Sequence, residues 1–311
     1  MVAVTASFAT LLPVFLVIVG GFALRRSGLL NDDQWAAIDR LCYFVLFPAF
    51  FFKEIARADF SGLPVLGTAA AMAVAIFAMS ALLLAANQPL RAALAMNGAQ
   101  FSSFFQGVVR WHTFIAFAAV PLYFGQGKLA IAALAAAVMT PLLNLICVLV
   151  IGHFANEEDF SLKRAVSAIA RNPFLLSSLA GVLWNLSGSA FPLQIEQTLD
   201  ITSRGALGLA LLSVGAALRI ETFAASARAI SAATVLKLIA MPALVALALQ
   251  AFGVGGEAAG IAILCNAVPT GSGAFILARQ LGGDAPLMAT ILTVEVIAAA
   301  VTIPLMLAVL G

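Results

Sequence analysis

Charge is scarce in this chain. Asp, Glu, Lys and Arg together make up 10% of 311 residues, while 63% are hydrophobic and mean hydropathy is +1.09. A soluble domain holds about 25% charged and about 45–50% apolar residues. The deficit predicts an integral membrane protein with nearly all its mass in the bilayer, and no polar stretch is long enough for a separate soluble domain. A net charge of +2 is too small to recruit nucleic acid. Three cysteines, Cys42, Cys147 and Cys265, lie in apolar segments without metal-ligand spacing, so no metal centre is expected. No positive charge precedes the first apolar run, which argues against a cleaved leader. Neither a phosphate-binding loop nor a nucleophile elbow occurs, so neither ATP-driven work nor a membrane enzyme is expected, and no organic cofactor is implied.

What is present is a series of apolar runs. A span needs about 20 such residues. Ten candidates follow: 5–24, 35–53, 63–86, 99–124, 128–152, 168–187, 197–218, 229–252, 257–281 and 286–310. The longest polar stretch, His153–Arg171, separates five spans from five. Pro13, Gly21, Ser27 and Gly28 recur as Pro173, Gly181, Ser187 and Gly188, each 160 positions later. An odd number of spans per half forces the second half to cross in the opposite sense. The expected organisation is a first repeat over 1–152, a linker over 153–167 and a second, inverted repeat over 168–311.

Lysine and arginine set the orientation. Loops after odd-numbered spans carry Arg25, Arg26, Arg91, Lys163, Arg164, Arg171, Arg219, Arg228 and Arg279; loops after even-numbered spans carry Lys53, Arg57 and Lys128. That bias puts the central loop in the cytoplasm and both termini outside.

Two spans are interrupted at matching places in the two halves. The fourth holds Gln106-Gly107 and Arg110-Trp111-His112; the ninth holds Asn266 and Val268-Pro269-Thr270-Gly271-Ser272-Gly273. Paired interruptions of this kind mark the binding site of transporters built from repeats. Freed amides and carbonyls at membrane depth need burial in protein or a wet cavity. Pro269 removes a donor and Gly271 and Gly273 relax the chain, so the half-helix that follows offers its positive end to an anion, with hydroxyls from Thr270 and Ser272. Gln106 and Gly107 play the matching part in the first half.

Arg110 costs about 2.5–3.5 kcal/mol at the bilayer centre on insertion scales. It reads as a carboxylate clamp or as a structural pair with an acid. Glu295, nine residues into the last span, lies about 13 Å deep at 1.5 Å per residue. It reads as a proton site, a sodium ligand or the static partner of Arg110. Asn144, after Pro141, and Asn266 are amides at similar depth that hold substrate or ion, or bridge helices. His112 is either a titrating neighbour of Arg110 or a packing residue. Asp200 and Arg204, four apart, are expected to pair on one helix face. Lys237 is expected to snorkel toward the cytoplasm.

The segments Ser102–Gly125, Ala137–Ile151 and above all Ala267–Met306 resemble the auxin efflux carrier family in its bacterial branch. The resemblance implies an all-α fold of ten helices in two inverted repeats, with helices four and nine broken and crossing, as in sodium/proton antiporters and bile-acid symporters. It implies a bacterial inner-membrane carrier and a homodimer. It also implies organic anions as substrates, such as malonate, malate or an indole acid, moved by alternating access with Na+ or H+ coupling. His112 stands where the family pattern has an amide such as Asn, and Glu295 where it has Gln; both bear on coupling, which the resemblance therefore leaves open. A cation antiporter on the same fold, without organic substrate, is the competing expectation.

Overall fold

The computed structural model describes residues 2–58, 60, 64–125, 128–155, 173–219 and 223–310. The charged stretch between the halves, with Glu157, Glu158, Asp159, Lys163, Arg164 and Arg171, lies outside the described residues, as does most of the linker expected over 153–167.

All regular structure among the described residues is helical. Helix α1 is Val2–Arg26. Helices α2 (Asp32–Leu41) and α3 (Phe47–Ala56) are joined by a π-helical turn, Cys42–Leu46. Helix α4 is Val65–Ala85 and α5 the short Asn87–Ala93. The fourth span is two half-helices, α6 (Gly98–Val109) and α7 (Thr113–Phe124), and the fifth is α8 (Leu129–Phe154). The second half runs through α9 (Pro173–Leu186), α10 (Leu193–Ser203) and α11 (Ala206–Ala217). Helices α12 (Phe223–Val235) and α13 (Met241–Ala251) flank a second π-helical turn, Leu236–Ala240. The ninth span is α14 (Gly256–Ala267) and α15 (Gly273–Gln280), and the chain closes with α16 (Ala285–Leu310). Among the described residues, eight helical segments are long and apolar enough to cross a membrane. The segments Pro173–Leu186 and Gly256–Ala267 are apolar but shorter.

Small residues set the tightest packing. A Cβ on Gly215 would lie 1.8 Å from the Ile18 carbonyl oxygen, and one on Gly21 would lie 2.0 Å from that of Leu212. Helices α1 and α11 therefore touch backbone to backbone, an approach that only glycine permits. A Cβ on Gly181 would lie 3.0 Å from the Phe52 carbonyl, where α9 meets α3. These two helix pairs are the most extensively packed in the molecule.

The turns that end α1 and α9 share one construction. Ser27 Oγ donates to the Leu24 carbonyl at 2.7 Å, and Ser187 Oγ donates to that of Trp184 at 2.7 Å. Gly28 and Gly188 follow with φ of 73° and 65°. The turn thus recurs 160 positions later with the same bonds and the same left-handed glycine.

Phe47, Phe51, Phe101, Phe104, Phe105 and Phe117 fill the interior. Leu, Val, Ile and Phe side chains such as Leu16, Phe77, Leu82, Ile297 and Val301 stand exposed on the outside. In water such a surface would drive association; against hydrocarbon it is the expected one.

Candidate functional site

The interruptions expected from sequence are real. After Val109 the backbone extends, with Arg110 at φ −73°, ψ 155° and His112 at φ −98°, ψ 90°, before α7 begins. After Ala267 it extends at Val268, φ −68°, ψ 153°, before α15 begins. The first half-helices, Gly98–Val109 and Gly256–Ala267, are both 12 residues long.

The two breaks touch. A Cβ on Gly271 would lie 2.8 Å from the Trp111 carbonyl oxygen and 3.8 Å from the His112 Cα. The hydroxyl of Thr270 donates to the Gln106 carbonyl at 3.4 Å. Gly107 is held against α16, where its Cβ would lie 2.8 Å from Ile291 Cγ2.

The polar groups sort into a partly accessible front and a buried back. In front, Arg110 Nη2 donates to Asn144 Oδ1 at 2.9 Å, and the Cys147 thiol lies beside the guanidinium. The same Nη2 is 3.5 Å from where a Gly273 Cβ would be, at the start of α15. Ser272 is half-buried there and Gly273 exposed. Arg110 Nη1 is buried with no hydrogen-bond partner.

Behind lie Gln106, His112, Asn266, Thr270 and Glu295, each at most 1% exposed. The Thr270 amide donates to Glu295 Oε2 at 2.8 Å. Glu295 Oε1, both polar atoms of the Gln106 amide, both ring nitrogens of His112 and Asn266 Oδ1 are buried without partners. Asn266 Nδ2 donates to the Ala262 carbonyl at 2.9 Å. Unpartnered buried polar atoms are uncommon in folded proteins, and here they gather around the two breaks.

Three expectations change. Arg110 and Glu295 are not a static pair: the guanidinium binds Asn144 and the carboxylate binds the Thr270 amide. Asp200 pairs across helices with Lys53 at 3.0 Å, since that ammonium comes closer than the Arg204 side chain on its own helix. Lys237 does not snorkel. It is fully buried, because the π-helical turn carrying it packs against α6 and α16.

Two residues join the site that sequence alone does not place there, Lys237 and Tyr43. Both sit on π-helical turns, and each is within electrostatic reach of a site residue, Tyr43 of Arg110 and Lys237 of Glu295 and His112. π turns are frequent at functional sites. Their signal in sequence was a proline two positions beyond each turn, Pro48 and Pro242.

The profile of the membrane transport protein family matches residues 159–307. Auxin efflux carrier component 7 of Arabidopsis thaliana is 30% identical over 128 residues, 39% of this chain and 21% of the relative. The probable auxin efflux carrier component 1b of Oryza sativa subsp. japonica is 34% identical over 118 residues, 36% of this chain and 21% of the relative. The chain thus spans about a fifth of the length of these curated relatives. A helical, multi-pass architecture fits these matches, and the chain is similar to the membrane transport protein family over its second half and to auxin efflux carriers.

Proposed function

We propose that the chain is a secondary active transporter of organic anions, with carboxylates as the substrate class. One observation carries this reading. Arg110 lies against the N-terminal end of α15, with a neutral partner, Asn144, and a free buried Nη1. A guanidinium beside a helix N-terminus puts two positive poles together in a low-dielectric interior. No carboxylate forms an ion pair with Arg110 among the described residues. An anionic ligand would complete that arrangement, and a guanidinium fork suits a carboxylate.

In this reading the carboxylate sits in front of the breaks, between Arg110, Asn144, Ser272 and the Gly273 amide that opens α15. Thr270 contributes through its backbone, holding Glu295, which is the coupling site for H+ or Na+. The chain comprises two inverted repeats, 1–152 and 168–311, in a bacterial inner membrane with both termini outside. The shared Ser-Gly turns and the matched half-helices support the repeat. One group of spans forms a scaffold, and the group that carries the breaks moves against it to alternate access.

A cation/proton antiporter is the second reading, favoured by the free Oε1 of buried Glu295. Transport current in proteoliposomes separates the two. Malonate, malate and indole-acetate are presented with and without pH or sodium gradients, to wild type and to Glu295→Gln. A saturable anion current whose gradient response vanishes in Glu295→Gln is the expected result. Proton flux driven by ions alone, with no anion current, would replace the carrier by the antiporter.

A further inference from the structure

The anion site and Glu295 leave one membrane-buried charge unexplained. Lys237 is 0% exposed, and its Nζ meets no hydrogen-bond acceptor. The π-helical turn that holds it packs against α6, α12, α13, α14 and α16. Those helices bring only four ionisable side chains: Arg228 and Glu257, both exposed, then Cys265 and Glu295. Glu295 is therefore the one buried carboxyl among them. Attraction between Lys237 and Glu295 reaches across the interior, and Lys237 also repels a charge on His112 at the first break. No hydrogen bond joins Lys237 to Glu295, and Glu295 Oε1 is as bare as the ammonium.

A carboxylate at this depth needs neutralising by a proton, a metal cation or a fixed cation. We infer that Lys237 is the built-in counter-cation of Glu295, filling the role a coupling sodium ion would otherwise have, so that the proton is the coupling ion of this carrier. This rests on the carrier reading of the breaks. With Glu295 ionised, the Lys237–Glu295 pair is neutral and Arg110 alone attracts the anion. A proton taken up by Glu295 uncovers the Lys237 charge behind the same breaks. The site then holds an anion more tightly, and proton and anion travel together.

Binding of malonate to the purified full-length protein tests this, over a pH range in which malonate itself does not titrate. Wild type should bind more tightly as pH falls and respond identically in sodium and in choline. Lys237→Met should lose the pH response, bind about tenfold more weakly and gain thermal stabilisation by sodium, since Glu295 has lost its counter-cation. The double variant Lys237→Met/Glu295→Gln should ignore sodium, and His112→Gln should keep the wild-type pH response. A merely structural lysine would not change which cation the protein senses. Sodium-dependent malonate binding by wild type overturns the inference, as does a folded Lys237→Met indifferent to sodium. Should Lys237→Met not fold, the wild-type comparison of sodium with choline decides alone. Absence of anion binding under every condition would instead remove the carrier reading itself.

Discussion

Arg110 and Asn144 meet because the first break turns Arg110 out of helical order toward α8. Arg110 caps α6 in extended backbone, while Asn144 stands one turn beyond Pro141 in α8. The guanidinium keeps one edge for Asn144 and leaves Nη1 bare. Arg110→Lys would retain the charge but lose the planar fork. Anion affinity should fall about tenfold, roughly 1.4 kcal/mol, without loss of folded yield; calorimetry on the purified variant reads this directly. Thr270 makes the opposite case. Its hydroxyl bond to the Gln106 carbonyl is long at 3.4 Å, whereas its amide holds Glu295 at 2.8 Å. Thr270→Val keeps the amide, so transport should change by less than about threefold, the scale of one weak hydrogen bond. A complete loss would mean that the hydroxyl itself touches the substrate.

At the scale of elements, the breaks depend on one close approach and the π turns on two prolines. Gly271→Ala would press a methyl group to 2.8 Å from the Trp111 carbonyl. Backbone cannot yield as a side chain can, so the variant should lose about 1–3 kcal/mol of stability and most of its transport, as melting and flux would show. In each π turn the residue before proline donates five positions back, Phe47 to the Cys42 carbonyl and Met241 to that of Leu236. Proline supplies no donor for the next bond and crowds the carbonyl four before it, which explains why the helix widens there. Pro242→Ala would allow ordinary α-helical bonding and rotate Lys237 away by up to about 100°, one helical step. Such a variant should fold and yet lose pH-dependent anion binding. The breaks were legible because Pro269, Gly271 and Gly273 announce themselves within an apolar run. Lys237 was not. A lysine near a span's middle reads as snorkelling until packing decides which way its helix face turns, and that packing involves helices more than a hundred residues away in sequence, such as α6.

At the scale of the molecule, ion pairs carry information about crossing number. Arg25 and Arg219 both reach Asp32, joining the loops after spans one and seven. Lys53 reaches Asp200 and Arg57 reaches Glu196, joining the loops after spans two and six. Lys128 reaches Glu257, joining the loops after spans four and eight. Odd loops meet odd loops and even loops meet even loops, as a chain crossing the membrane at every segment requires. Were the shorter helix Pro173–Leu186 not to cross, this pattern would fail. An inverted repeat would put the like-built turns at Ser27 and Ser187 on opposite sides of the membrane, since the first follows span one and the second span six. Both serines are exposed, and Cys42, Cys147 and Cys265 are buried, so the native thiols give little background. In intact cells a membrane-impermeant maleimide should label Ser187→Cys and spare Ser27→Cys, with the order reversed in inside-out vesicles. Labelling of both from one side would break the inverted repeat, while the converse assignment would keep the repeat and turn the molecule over, placing the arginine-rich loops outside.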